Sequence, residues 1–237
     1  MYTQILHIGR HKAIKRFIHD KQNQDFYNNY NEFVFSNDRK IFNKLVSKTF
    51  FIEQTKGIPG EIVELGVFKG AGMAAWLKTL NSFGIQNKNC IGFDIFDVQL
   101  LKSNISTIDN ELMQKLFNQR QFDPTGYDLI LREKLEECGF DNFDIISGDV
   151  FDTIPKYLSD NPGFRASLVN FDLDTAEPTY FCLDRLWERV VKGGILIFDE
   201  YAINEWTESD AVDRFVKEKD LQIQRSMYQS PSAYIVK

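Results

Sequence analysis

Cysteine is scarce in this chain: Cys90, Cys138 and Cys182 lie far apart, and no two form a C-x-x-C pair. Disulfide frameworks and thiolate motifs of that spacing are therefore excluded. Cys90 and Cys182 fall in an expected strand and helix, where they read as small buried apolar residues. Long hydrophobic runs are also missing. No stretch of eighteen apolar residues occurs, so no membrane-spanning helix and no membrane partner are expected. With no signal-type apolar region at the N-terminus either, the expectation is a cytoplasmic, reduced protein. An excess of basic charge is absent too, the formal net charge being −6. That disfavours a phosphate backbone, and no nucleic-acid partner is expected. The one basic cluster, Arg10, His11, Lys12, Lys15 and Arg16, is short and reads as a solvated helix face. Internal repeats and low-complexity linkers are lacking as well, which leaves a single globular architecture.

What is present organises itself around Gly60 to Gly72. The apolar run Ile62 to Leu65, broken by Glu64, reads as a buried parallel strand, and Met73 to Leu80 as a helix. Gly66, Gly70 and Gly72 lie between them. Strand, glycine turn and helix form the first unit of a doubly wound nucleotide-binding fold. Such glycines let a ligand approach the backbone, and the new helix offers unpaired N–H groups. Glu64 sharpens the reading. A carboxylate there repels a pyrophosphate and suits a ligand that carries an ammonium or a sulfonium.

Residues 1–35 are polar and aromatic and read as an arm with one or two short helices, open to self-association. Asp38 to Thr55 has Ile41, Leu45, Val46, Phe50 and Ile52 near helical spacing, with lysines between. Further strands are expected at 90–94, 143–147, 166–171, 195–198, 222–227 and 233–236, with Gly193-Gly194 turning into the fifth. Helices alternate with them at 110–117, 127–138, 177–190 and 209–217. The expectation is an α/β chain with a mostly parallel seven-stranded sheet and helices on both faces. Residues 1–56 would form an N-terminal helical arm or cap, and 57–237 the ligand-binding domain. Residues 98–126, polar and loop-rich, would be a lid or substrate-recognition insertion.

Ligands of an open parallel sheet bind outside the carboxyl ends of its strands. Glu64, Asp94, Asp149, Asp172, Asp174, Asp199 and Glu200 all arrive there. Asp94 ends the second strand, where a carboxylate can accept both ribose hydroxyls; a turn or N-cap is the competing role. Asp149 with Val150 would meet the edge and face of an adenine, against a helix N-cap, for which Asp152 is the candidate. Two acidic doublets on adjacent strands would repel each other and shift upward in pKa. A hard divalent cation, magnesium, calcium or manganese, would relieve that repulsion. In strand geometry Asp172 and Asp174 share parity, so one could bind metal while the other removes a proton.

Four blocks resemble a known family, the macrocin O-methyltransferases of TylF/MycF type. They are Ile58-Pro59-Gly60 through Glu64-Leu65-Gly66-Val67-Phe68-Lys69-Gly70; Gly148 to Pro155; Asp172-Leu173-Asp174 with Glu177 and Thr179; and Gly193-Gly194 through Asp199-Glu200-Tyr201 with Ala211 to Phe215. The resemblance covers most of the chain from about residue 38 onward. It implies a Rossmann-like class I methyltransferase fold and S-adenosylmethionine-dependent methylation of a sugar hydroxyl. It implies Mg2+ on Asp172, Asp199 and Glu200, and Asp174 as catalytic base. On the cofactor side it implies Glu64, Gly66, Phe68, Gly70, Asp94, Asp149, Val150 and Asp172. The chain departs from the family pattern where Glu200 replaces an aspartate, Asp149 a tryptophan and Thr175-Ala176 a Leu-Tyr pair, which leaves the acceptor unassigned. A catechol also presents a vicinal diol. A nicotinamide-dependent oxidoreductase or a non-catalytic nucleoside-binding protein would use the same fold.

Overall fold

The computed structural model describes residues 21–97, 106–120 and 122–237. The basic cluster at 10–16 and residues 98–105 and 121 of the expected insertion lie outside the described residues. By its internal contacts the chain divides into two compact units, one ending at Phe42 and the other spanning Asn43–Lys237. Helix α1 (Lys21–Phe35) belongs to the first. Helix α2 (Arg39–Thr55) begins there, with Asp38 Oδ1 accepting the Ile41 N–H at 2.9 Å, as an N-cap does.

The second unit carries the sheet. Strands β1 (Glu61–Leu65), β2 (Cys90–Asp94), β3 (Phe143–Ser147), β4 (Ala166–Phe171) and β5 (Val190–Phe198) are parallel, in spatial order β3-β2-β1-β4-β5. Strands β6 (Gln224–Arg225) and β7 (Ala233–Val236) extend it antiparallel beyond β5. The connecting helices are α3 (Ala71–Phe83), α4 (Thr107–Arg120), α5 (Tyr127–Glu137), α6 (Val150–Asp160), α7 (Ala176–Trp187) and α8 (Glu208–Lys219). Successive residues of a strand face opposite sides, so each central strand feeds two cores. Val63, Leu65 and Phe171 pack with Ile154, Leu183 and Phe215, while Ile62, Leu168 and Ile197 pack with Phe51, Trp76 and Leu131. No helix among the described residues is long and apolar enough to cross a membrane.

Three expectations are corrected. The Gly193-Gly194 pair lies inside β5, which starts at Val190. Pairing jumps from Ala166↔Val190 to Leu168↔Ile195, and Gly193 at φ +81° absorbs the extra residues as a bulge. The cap of α6 is Asp149, whose Oδ1 accepts the Phe151 N–H at 3.0 Å; Asp152 sits in the first turn. Finally, α2 turns inward only part of its expected apolar face, Ile52 buried and Phe50 half-buried. Ser47, Lys48, Phe51, Ile52 and Thr55 are buried, whereas Ile41, Leu45 and Val46 are exposed.

Candidate active site

The five parallel strands end at one level, and hydrogen bonds carry that level past the strand ends. Gly148 N–H donates to Asp94 O, Gly66 N–H to Phe93 O, Asp172 N–H to Leu65 O and Asp199 N–H to Phe171 O, all at 2.9–3.0 Å. Strand order reverses between β1 and β4, which is where an open sheet forms its crevice. Gly66 and Asp172 stand on its two sides. Gly66 has φ +87°, and a Cβ added there would lie 1.9 Å from the Asp172 carbonyl oxygen. Glycine is thus required by the meeting of two strand ends.

Asp94, expected on the cofactor side, already serves the glycine turn. Asp94 Oδ2 accepts the Val67 and Phe68 N–H groups at 2.7 and 2.6 Å, and Oδ1 has a longer contact, 3.5 Å, from the Phe96 N–H. Burial raises the Asp94 pKa, and those backbone donors oppose the rise. Asp94 therefore folds the loop and lies beside it at the end of β2. Phe68, at φ +52°, is 38% exposed and packs edge-on against Phe122. Space beside Gly70 is taken by Leu131: an added Cβ would lie 2.1 Å from its Cδ1. Val150 is buried behind the Asp149 cap.

Glu64 is buried beneath the turn. Its Oε2 accepts the Trp76 Nε1–H, and Lys48 Nζ lies 3.7 Å from the same oxygen and 3.9 Å from the Trp76 ring centroid. A Cβ on Gly72 would stand 1.9 Å from Glu64 Oε1. The cation next to this carboxylate is thus an internal lysine, and Gly72 makes room for a side chain.

The acidic doublets converge beyond β4 and β5. Carboxylate oxygens of Asp172, Asp174 and Glu200 lie within 4.8 Å of one another. Asp172 and Asp174 follow the end of β4, so a turn brings them together, with Asp174 at φ +64°. That left-handed backbone is uncommon outside glycine, although Asp tolerates it better than most. Lys44 Nζ reaches in from α2, 2.9 Å from Asp172 Oδ2 and 2.6 Å from Asp199 Oδ2. Ser230 donates its hydroxyl to Asp199 Oδ1. Burial, then the charge of Asp199, raises the Asp172 pKa well above the usual carboxylate range, against the pull of Lys44. Burial lowers the Lys44 pKa, but Asp172 and Asp199 together outweigh it and keep the ammonium charged.

A further acid stands behind these. Glu208 is fully buried at the start of α8, and its Oε1 accepts the Glu200 N–H at 3.1 Å. Among the described residues its Oε2 has no hydrogen-bond partner. Burial, then Asp199, raises its pKa well above the usual glutamate value. An orphaned carboxylate oxygen next to three converging carboxylates fits a hard divalent cation, which takes oxygen ligands. The sheet edge is braced from the insertion side as well. Thr207 Oγ1 donates to buried Asp109 of α4 at 2.8 Å and accepts the Ala176 N–H at 2.9 Å.

The family described as macrocin-O-methyltransferase (TylF) matches residues 40–231. This chain belongs to the TylF family. A relative named 8-demethyl-8-(2,3-dimethoxy-alpha-L-rhamnosyl)-tetracenomycin-C 4'-O-methyltransferase, from Streptomyces olivaceus, is 26% identical over 151 residues. That match takes in 62% of this chain and 55% of the relative, so this chain spans about half the length of that protein. Among solved structures, the calicheamicin methyltransferase CalS11 superposes with a TM-score of 0.69 at 23% identity, covering 94% of this chain and 95% of that one. The O-methyltransferase NovP does so at 0.66 and 19% identity, over 82% and 79%. These likenesses establish the Rossmann-like methyltransferase fold.

Within this TylF-family fold, sequence reasoning missed Lys44, Lys48 and Glu208. Lys44 and Lys48 carried a signal in their i, i+4 spacing, which places both on one face of α2. Glu208 carried none, since an acid in the first turn of a helix is ordinarily a solvated partner of the helix dipole.

Proposed function

We propose that this chain is an S-adenosylmethionine-dependent O-methyltransferase that acts on a sugar hydroxyl with the help of Mg2+ or another hard divalent cation. The observation that carries the reading is the convergence of Asp172, Asp174 and Glu200 oxygens within 4.8 Å at the strand ends next to the Gly66 turn. Family membership supports the methyl-transfer chemistry. The Streptomyces relative by its name methylates a rhamnosyl compound, and CalS11 is described as a TDP-rhamnose 3'-O-methyltransferase, which supports a sugar acceptor.

In this reading Asp172 and Glu200 of that cluster hold the cation together with Asp199, whose Oδ2 faces Asp172 across Lys44, with Glu208 behind them and Asp174 left as the base. Glu64, Gly66, Phe68, Gly70, Asp94, Asp149, Val150 and Asp172 form the cofactor side, Glu64 from beneath the turn. S-adenosylmethionine would supply an electrophilic methyl carbon, and the cation would lower the pKa of an acceptor hydroxyl. The Asp174 carboxylate would take the hydroxyl proton, leaving that oxygen to accept the methyl group that the bound cofactor supplies. Aligning the two reactants is the protein's other contribution. Residues 98–126 are proposed as the acceptor-recognition insertion, anchored through Asp109. Exposed Phe26, Tyr30 and Phe35 on α1 support pairing with a second copy. The three unpaired cysteines suit a cytoplasmic setting.

Calorimetric titration with S-adenosylmethionine and S-adenosylhomocysteine, with and without magnesium, tests the reading. Micromolar binding of both, followed by magnesium-dependent methylation of a deoxysugar nucleotide or glycoside, is the expected result. No binding under any condition overturns it. Tight binding of a nicotinamide cofactor in its place would point to an oxidoreductase. Cofactor binding without turnover on any sugar or catechol would point to a non-catalytic protein.

A further inference from the structure

We propose that Lys44 is the resident cation of the acidic cluster, and that a divalent cation binding to Asp172 and Asp199 must displace its ammonium. The inference rests on the metal reading above and goes beyond it by assigning control of metal affinity to a residue of α2. Lys44 Nζ is held by one oxygen from each of two carboxylates, at 2.9 Å and 2.6 Å. Asp199 accepts the Ser230 hydroxyl on its other oxygen, which holds the carboxylate with Oδ2 toward Lys44. Magnesium approaches carboxylate oxygens to about 2.0–2.1 Å, closer than the ammonium sits now. Two cations crowded onto the same pair of oxygens repel strongly in a partly buried site.

The lysine is also the partner able to move. Its side chain is 33% exposed, while Asp199 is 3% exposed and fixed at the end of β5. A four-carbon stem lets the ammonium swing toward water at small cost. In the metal-free chain Lys44 neutralises carboxylates that would otherwise repel each other and open the cleft. The site is thereby held in shape, and metal affinity is weaker than five carboxylates alone would give.

The test is Mn2+ titration, by calorimetry and by the EPR signal of free ion, of the wild-type chain, Lys44→Met and Lys44→Arg. Lys44→Met should bind Mn2+ at least about ten-fold tighter, since a like charge is removed, and Lys44→Arg should stay within roughly threefold of wild type. The rise in Tm on adding Mn2+ should be larger for Lys44→Met than for wild type. Lys44→Gln gives the same neutralisation if Lys44→Met fails to fold. In the wild-type chain, amine-reactive labelling of Lys44 read by mass spectrometry should increase when magnesium is added. If wild type binds Mn2+ and the neutral variants bind it no tighter, the inference falls and the metal reading stands. Equal tightening in Lys44→Arg, or labelling that does not rise, also overturns it. If none of the chains binds Mn2+, both fall together.

Discussion

Replacing Glu208 by glutamine should stabilise the metal-free protein at neutral pH, although Glu208 belongs to the proposed cation site. The wild-type side chain is fully buried, spends Oε1 on the Glu200 N–H, and leaves Oε2 without a hydrogen-bond partner among the described residues. Burial, then Asp199, raises its pKa, with Asp172 and Asp174 pushing the same way and the Glu200 N–H opposing. A carboxyl whose folded-state pKa exceeds its unfolded value favours folding below the unfolded value. That contribution is lost as pH rises through the folded one. Above the unfolded value the wild type therefore incurs a cost either to keep that proton or to bury the charge, and glutamine does neither.

Glutamine keeps the acceptor for Glu200 and offers N–H donors toward the neighbouring carboxylates. A buried unsatisfied polar group costs about 1–3 kcal/mol, and more when charged. The gain should be about 2 kcal/mol, or roughly 4–8 °C in Tm for a chain of this size. Thermal and urea melts in chelator at about pH 8 and about pH 4 read it directly, the gap between variant and wild type closing toward the acid side. With saturating magnesium the order should reverse, because wild type gains more from the ion. A variant no more stable than wild type in chelator at the higher pH, or one with the same gain at both, would refute the reasoning.

Gly66→Ala should cost about 3–5 kcal/mol, since its left-handed backbone alone costs about 1–2 kcal/mol and the strand ends must also part. Gly163→Ala, where an added Cβ meets nothing within 4 Å, should stay within about 0.5 kcal/mol in the same urea titration. Trp76→Phe removes the donor to Glu64 and should cost about 1.5–3 kcal/mol by denaturation; a loss below about 0.5 kcal/mol would show that Lys48 alone suffices. Asp174→Asn keeps a residue type that tolerates φ +64°. Turnover should fall roughly 10²–10⁴-fold while S-adenosylhomocysteine affinity by calorimetry stays near wild type, and undiminished turnover would remove Asp174 as the base.

The parallel strands were legible because a strand buried on both faces reads as an apolar run bounded by turns, as Ala166 to Phe171 does. The acidic edge was legible for the same reason, once every strand end was known to face one crevice. What escaped the sequence was how each side chain spends its hydrogen bonds. Asp94 and Asp149 look alike as strand-end acids, yet one folds the Val67–Phe68 loop and the other caps α6. Asp172 and Asp174 were paired through strand parity, while the structure joins them by a left-handed turn past the strand, a step that alternation does not describe.

Helix α2 shows why hydropathy misleads at such a site. Its pattern put Ile41, Leu45 and Val46 inward, yet these are exposed, and Lys44 and Lys48 point to Asp172, Asp199 and Glu64 instead. Burying a Leu or Val fully is worth about 1.5–3 kcal/mol, and a half-exposed one has already collected part of that. Leaving a buried carboxylate without a counter-charge costs about 3–5 kcal/mol. Buried Glu64 and Asp199 and half-buried Asp172 face α2, so turning the lysines inward outweighs the apolar area given up. The helix is amphipathic, but its inward face is chosen by the acids of the sheet, and those acids lie more than a hundred residues away in the case of Asp172.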